Sequence, residues 1–206
     1  MSLAFPEDIT IYEDYLQCGR QKVSYDEIIS IRVYVRQTTT NLTSMIGIPT
    51  HSDLKSEISL LLIGGDRVDI EVANYEEWGP FKNKQGMETF KDGLAFSTFL
   101  EEKTFEQRVN HYLKTGTHDM HFKYRGFEFL KNKTIRANGK IYVSFNPEEW
   151  TLKRSFRKLS FWQTGFFGAL DNVFGRTVDK DMNLTYDEDV ILHLIEKLIG
   201  VSPMSE

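Results

Sequence analysis

The sequence predicts an α+β fold made of two units, in which antiparallel strands come first and an amphipathic helix comes last. Three observations predict it. Apolar and polar residues alternate between Ile29 and Arg36, a Gly-Gly pair at 64–65 separates two β-rich runs, and helical spacing follows each set of strands. Alternation is typical of a strand with one buried face, and a spacing of three and four residues is typical of a helix.

The strands of the first unit include one tight hairpin. Ile58–Ile63 and Arg67–Val72 are rich in apolar residues, and Gly64-Gly65-Asp66 lies between them. Glycine reaches the positive φ angles that a tight hairpin turn requires, so this segment predicts two paired strands. Residues 38–53 contain three consecutive threonines, a glycine and a proline, which indicates a long loop or an irregular edge.

Helical signals follow these strands. Asn74 precedes two glutamates, a pattern that favours a short helix ended by Gly79-Pro80. From Gln85 to Lys114 the apolar spacing is helical, and Thr104-Phe-Glu-Gln107 has the form of a capping box, which predicts a helix start. The predicted apolar positions of this region are Met87, Phe90, Leu94, Phe105, Val109, Tyr112 and Leu113.

The second unit repeats the order of strands and helix. Residues 122–130 predict one strand, Lys131–Lys133 a turn, and Asn138-Gly139 a hairpin turn before another alternating run. At least one helical turn is predicted at Pro147, and Leu152–Trp162 fits either a helix or a strand. The final helix is predicted by the apolar face of Val190, Leu194, Ile195, Leu198 and Ile199, and Gly200 ends it.

A search for an internal repeat agrees with two units. Shifting the chain by 112 residues without gaps places Tyr12 on Tyr124, Val23 on Ile135 and Ile31 on Val143. Two strand-rich sequences also match in phase by chance, so the pattern leaves duplication and independent origin open. The predicted units are residues 1–117 and 118–206.

Length and composition narrow the class of protein. The chain has 206 residues, 40% hydrophobic and 13% aromatic, which is enough to build a packed core in one or two domains. Cys18 is the only cysteine, so a disulfide framework and a four-cysteine zinc site are excluded. No run of about 18 apolar residues predicts a membrane span, and the start of the chain lacks a secretory signal. The expected location is cytoplasmic.

Charge is distributed unevenly along the chain. The net charge is −5, but residues 121–160 carry 10 lysines and arginines against 3 acidic residues, a local charge of +7. A basic block within an acidic chain is typical of an anion-facing surface, and it also fits a solvated strand face. The isoelectric point of about 5.6 disfavours a nucleic-acid binder.

The order of elements resembles the bacterial pleckstrin-homology-like family, in tandem. The residues that carry the resemblance are Ile9–Val35, Ile58–Val72 and the helix near Phe105, and then Phe122–Phe145 and Asp187–Ile199. The resemblance implies two strongly bent antiparallel sheets, each a partly open barrel that a C-terminal helix closes. Some members of the family bind phosphoinositides or other anions through basic residues around the first hairpin. By that resemblance, the candidate anion-binding residues are Lys123, Lys131, Lys133 and Arg136.

These observations predict a non-enzymatic binding or scaffolding module with an unknown protein partner, no cofactor and no metal. One alternative is a module at the membrane periphery that binds anionic lipid or phosphoinositides through the basic block of residues 121–160. A second alternative is a hydrolase whose metal site is formed by His111, His118 and His121. The sequence does not indicate an oligomeric state.

Overall fold

The computed structural model describes residues 2–4, 8–40, 51–78, 84–115, 122–131, 133–137, 140–144, 150–155, 158–163, 182–183, 185–200 and 204–205. These residues form small, mainly antiparallel sheets and two α-helices, so the predicted α+β class is confirmed. The chain divides into two compact units, residues 1–107 and 108–206. The boundary predicted between residues 117 and 118 stays a prediction, because residues 116–121 are not among those described.

Two antiparallel sheets belong to the first unit. The first contains four short strands that pair in chain order: β1 (Ser2–Ala4), β2 (Asp8–Ile11), β3 (Tyr15–Cys18) and β4 (Gln21–Ser24). A 3₁₀ helix at Tyr25–Glu27 leads into the second sheet, which contains three long strands: β5 (Ile28–Thr40), β6 (His51–Leu62) and β7 (Arg67–Trp78). Apolar residues of both sheets enter one core, among them Ile9, Leu16, Ile31, Ile58 and Ile70.

The hairpin predicted between β6 and β7 is confirmed. Gly65 has a φ of +88°, and the amide of Leu62 donates a hydrogen bond to the carbonyl of Asp66 at 2.9 Å. The loop predicted over residues 38–53 is wrong at both ends. Strand β5 continues to Thr40 and β6 begins at His51, because twelve residue pairs extend the ladder between the two strands.

The short helix predicted after Asn74 is wrong, because residues 67–78 form strand β7. A helix-capping residue contributes about 1 kcal/mol. The ladder with β6 instead pairs the backbone from Arg67 to Trp78, and it leaves Ala73 and Tyr75 buried. Pairing with a strand elsewhere in the chain therefore outweighs the local signal.

A single helix, α1 (Lys84–Lys114), spans the region with helical spacing. Phe96 and Leu100 lie in the core of the first unit, whereas the predicted apolar positions Met87 and Leu94 are exposed. The predicted capping box is wrong, because Thr104 lies inside this helix. Its buried hydroxyl donates a hydrogen bond to the carbonyl of Leu100 at 2.7 Å, one turn earlier.

Two glycines allow α1 to approach β7 closely. A Cβ atom at Gly93 would lie 1.7 Å from Cγ1 of Val72, and a Cβ atom at Gly86 would lie 2.5 Å from Cγ of Tyr75. Both distances are far shorter than a van der Waals contact. The packing of helix on strand at this spacing therefore requires glycine at both positions.

Two further sheets belong to the second unit. The first contains β8 (Phe122–Tyr124), β9 (Phe127–Phe129), β10 (Thr134–Ala137) and β11 (Lys140–Ser144), paired in chain order. The second has the order β14-β13-β12-β15, formed by β12 (Trp150–Ser155), β13 (Lys158–Gln163), β14 (Met182–Asn183) and β15 (Met204–Ser205). Of these strands, β15 runs parallel to β12.

The strands and turns predicted for residues 122–162 of this unit can be compared with the structure. The single strand predicted over 122–130 is wrong, because Arg125 and Gly126 adopt positive φ angles of 45° and 84° and fold it into the β8–β9 hairpin. The hairpin predicted around residues 138–139 is confirmed by the pairing of β10 with β11. The helix alternative over residues 152–162 is wrong, because the described residues of this range lie in the two paired strands β12 and β13. The helical turn predicted at Pro147 lies outside the described residues.

The final helix, α2 (Glu188–Ile199), is confirmed with its predicted end at Gly200, which has a φ of +82°. Its apolar face is buried, and it lies against β9. Rings of Phe127, Phe129 and Phe161 lie 6.3 to 6.5 Å apart between centroids. The second unit therefore has its own aromatic and aliphatic core.

Candidate functional site

Strands β8, β9 and β10 place two of the predicted basic residues beside one carboxylate. In the antiparallel register, Glu128 lies opposite Lys123 on one side and opposite Arg136 on the other. Nζ of Lys123 lies 3.1 Å from Oε1 of Glu128, and Nη1 of Arg136 lies 3.3 Å from Oε2. Alternate residues of a strand point to opposite faces, so these three side chains share the face opposite the buried rings of Phe127 and Phe129.

The other two predicted residues, Lys131 and Lys133, lie in the turn between β9 and β10. Two backbone hydrogen bonds close this turn, from the amide of Leu130 to the carbonyl of Thr134 at 2.9 Å and from the amide of Lys133 to the carbonyl of Leu130 at 3.0 Å. Lys133 has a left-handed φ of +62°. Both lysines are exposed. We call the surface formed by Leu130, Lys131 and Lys133 the basic turn.

The basic side chains of residues 123–136 differ in how far a nearby carboxylate compensates their charge. Residues 123–136 carry five basic side chains and one carboxylate, a net charge of +4. Lys123 and Arg136 share the charge of Glu128, and their side chains are 53% and 36% exposed. Exposed ion pairs contribute at most about 1 kcal/mol, but the nearby carboxylate still cancels part of the local potential. Among the four candidate residues, Lys123, Lys131, Lys133 and Arg136, the positive charge is therefore least compensated at Lys131 and Lys133.

A buried ionic cluster, which the sequence did not predict, lies in the same unit. The side chain of Arg108 on α1 is 0% exposed, and its Nη1 lies 3.0 Å from Oδ1 of Asp187. The guanidinium also binds both carboxylate oxygens of Asp189, at 2.8 and 2.6 Å. The hydroxyl of Tyr112 donates to Oδ2 of Asp187 at 2.9 Å. Asp187 precedes α2 and has a φ of +49°, which Asp tolerates better than most residues.

Burial and charge together raise the pKa values of Arg108 and Tyr112, which keeps the guanidinium charged and the phenol neutral. Burial alone would lower the pKa of Arg108, but the hydrogen bonds and charges of Asp189 and Asp187 outweigh it and raise that pKa. Burial, followed by the charge of Asp187, raises the pKa of Tyr112 well above its ordinary value. Two carboxylates oppose one cation here, and the N-terminus of α2 favours the excess negative charge.

The segment around these carboxylates, residues 185–189, also binds three other side chains. Arg125 donates to the hydroxyl of Thr185, and its guanidinium lies 5.6 Å from the ring centroid of Tyr186. The hydroxyl of Tyr124 donates to the carbonyl of Tyr186 at 3.2 Å. Nε of Arg154 lies 3.0 Å from Oε1 of Glu188. This segment therefore connects α1, the β8–β9 turn and β12.

One sequence signal points to the buried arginine. Leu100, Thr104 and Arg108 are spaced four residues apart, so Arg108 continues the buried face of α1. A cation at such a position requires a buried carboxylate. No comparable signal identifies Asp187 and Asp189 as the partners, because acidic residues at a helix start are common for another reason.

The metal alternative predicted from the sequence depends on three histidines, of which one lies among the described residues. His111 is half-buried on α1, with its ring 6.2 Å from that of Tyr112, and His118 and His121 lie outside the described residues. Within the part of the chain that is described, no group of three His, Cys, Asp or Glu side chains is arranged to hold a metal ion. The hydrolase alternative stays a prediction.

Comparison of the chain with protein-family models, with curated proteins and with solved structures finds no match. Neither helix in the described ranges combines the length and the apolar character that a membrane crossing requires.

Proposed function

We propose that this chain is a non-enzymatic binding and scaffolding module, built from two pleckstrin-homology-like units, whose basic turn binds carboxylates of an acidic protein partner. The observation that carries the proposal is the pair of exposed lysines, Lys131 and Lys133, in a turn closed by two backbone hydrogen bonds. A preformed turn loses little conformational entropy when it binds. The strands that precede each helix support the pleckstrin-homology-like part of the proposal.

Charge arithmetic favours a protein partner over the membrane alternative. A lysine or arginine near an anionic bilayer contributes about 1 kcal/mol, and lipid-binding segments generally contain clusters of four to eight. Lys131 and Lys133 would together contribute about 2 kcal/mol by that measure. Lys123 and Arg136 add less, because Glu128 would bring a negative charge to the same surface. A protein partner adds shape complementarity and hydrogen bonds to the same two charges.

The test removes both charges while keeping the turn. In the variant Lys131→Gln/Lys133→Asn, asparagine suits the left-handed φ at position 133. The control variant, Lys91→Gln/Lys197→Gln, has the same net charge but changes exposed lysines on α1 and α2. The probes are poly-L-glutamate, by fluorescence anisotropy, and vesicles of phosphatidylserine and phosphatidylcholine in equal parts, by sedimentation.

We expect the unmodified chain to bind poly-L-glutamate at low salt, the turn variant to bind about tenfold more weakly, and the control to change by less than about twofold. Equal losses in both variants would show that only net charge matters, and the proposal would then be wrong. Strong vesicle binding that depends on Lys131 and Lys133 would instead establish the lipid alternative.

A further inference from the structure

An acidic surface with an apolar centre lies at one end of the sheet of the first unit. Ile63 is 60% exposed and Leu61 is 38% exposed, and both flank the inward-facing Leu62 at the end of β6. Asp66 is exposed in the hairpin turn that follows. We call the surface formed by Asp26, Glu27, Leu61, Ile63 and Asp66 the acidic tip.

Backbone contacts hold the acidic tip together. The amide of Ile63 donates to the carbonyl of Glu27 at 2.8 Å, which brings the exposed Asp26 and Glu27 beside the hairpin. The amide of Gly65 donates to the carbonyl of Leu62 at 2.9 Å. The nearest basic residue along the hairpin, Arg67, is bound to Asp69 at 2.7 Å. The tip therefore combines an apolar centre with the three carboxylates of Asp26, Glu27 and Asp66.

The charges of the two units are complementary. Residues 1–107 carry 10 basic and 18 acidic residues, a net charge of −8, whereas residues 108–206 carry 15 basic and 12 acidic residues, a net charge of +3. The basic turn also contains an apolar residue, the half-buried Leu130, beside Lys131 and Lys133. The acidic tip and the basic turn thus each offer apolar surface and opposite charge.

We infer that the acidic tip of one molecule binds the basic turn of a second copy of the same chain. The inference rests on the proposed function, since it names the acidic protein partner of the basic turn. Two different surfaces meet in such a contact, so a pair of bound copies leaves one tip and one turn available. A contact of this heterologous type builds a ring or an open chain of molecules. Such an assembly would be the scaffold in the proposed function.

A charge-reversal experiment on the full chain tests the contact. One variant, Asp26→Lys/Asp66→Lys, reverses the charge of the tip, and the other, Lys131→Glu/Lys133→Asp, reverses that of the turn. Each alone places like charges on both surfaces and should stay monomeric in sedimentation velocity. Their equimolar mixture should associate again, because each variant then meets a partner of opposite charge.

Two further measurements separate this inference from the proposed function. The unmodified chain should associate at about 0.01 M salt, where the Debye length is about 30 Å, and dissociate at about 1 M, where it is about 3 Å. The variant Ile63→Ser should weaken association about tenfold through lost apolar contact while leaving the binding of poly-L-glutamate unchanged.

Failure of the inference has a distinct result. If the unmodified chain stays monomeric at low salt but binds poly-L-glutamate through Lys131 and Lys133, the inference is wrong and the proposed function stands. If the mixture of charge-reversal variants does not associate, the inference is wrong as well. If binding to poly-L-glutamate is also absent, the proposed function fails with it.

Discussion

Replacement of the buried Arg108 by methionine should destabilise the second unit severely. Methionine keeps an unbranched apolar side chain but removes the guanidinium and its three hydrogen bonds to Asp187 and Asp189. The side chain of Asp187 is 0% exposed, so its charge would remain buried without the guanidinium, although the Tyr112 hydroxyl would still donate to it. Removal of one member of a buried ion pair costs about 3–5 kcal/mol. Because Asp189 keeps 29% exposure and can be rehydrated, we expect about 3–4 kcal/mol.

The assay must resolve the two units, since they need not unfold together. Hydrogen exchange at the amides of α2, measured over a urea series, reports the free energy of opening of the second unit. A companion variant, Arg108→Met/Asp187→Asn/Asp189→Asn, removes the uncompensated charges, and it should recover at least half of the loss. A loss below about 1 kcal/mol for Arg108→Met, or an equal loss in the companion variant, would refute the argument from buried charge.

Three further predictions concern stability. Gly93→Ala should lower the unfolding free energy of the first unit, measured in urea, by about 1–3 kcal/mol, because its Cβ would lie 1.7 Å from Cγ1 of Val72. The control Gly64→Ala, whose Cβ would have no atom nearer than 3.9 Å, should change that free energy by less than about 0.5 kcal/mol. Burial raises the pKa of Tyr25 from 10.0 to about 12, so the first unit should lose stability as the pH rises through that interval. Tyr25→Phe should remove that part of the pH dependence, and an unchanged alkaline profile would contradict the assignment. Lys133→Gly should raise the unfolding free energy of the second unit by up to about 1 kcal/mol, since Lys133 has a φ of +62°, and a loss of stability would show that its conformation carries no strain.

The parts of the fold that the sequence predicted correctly depend on local chemistry. The turn at Gly64-Gly65 and the end of α2 at Gly200 need positive φ angles, which glycine supplies. Their positions therefore follow from where glycine occurs in the local sequence. The signals at Asn74 and Thr104 are also local, but they failed. Backbone pairing with a distant strand overrode the first, and continuation of α1 through the core overrode the second.

The candidate site was predictable to a similar degree. The sequence predicts Lys131 and Lys133 in a turn, because the strands on each side are recognisable from their apolar pattern. The pairing of Glu128 with Lys123 depends on the turn at Arg125 and Gly126 that folds β8 onto β9, and the strand prediction over residues 122–130 does not include that turn. A register between strands depends on which residues meet across the sheet, and periodicity within one strand does not determine it.

The link between Arg108 and residues 187–189 has a consequence for the order in which the chain folds. These partners are separated by 79 and 81 positions. During synthesis, Arg108 is therefore made well before the carboxylates that it binds in the folded unit. Closing a loop of that length costs about 4 kcal/mol in chain entropy, which the contacts of the folded second unit must offset. On the ribosome the first unit can assemble while the second is still open, and a chain cut before Thr185 would hold α1 with its arginine uncompensated. We therefore expect chaperones and proteases to act mainly while the second unit is still incompletely synthesised.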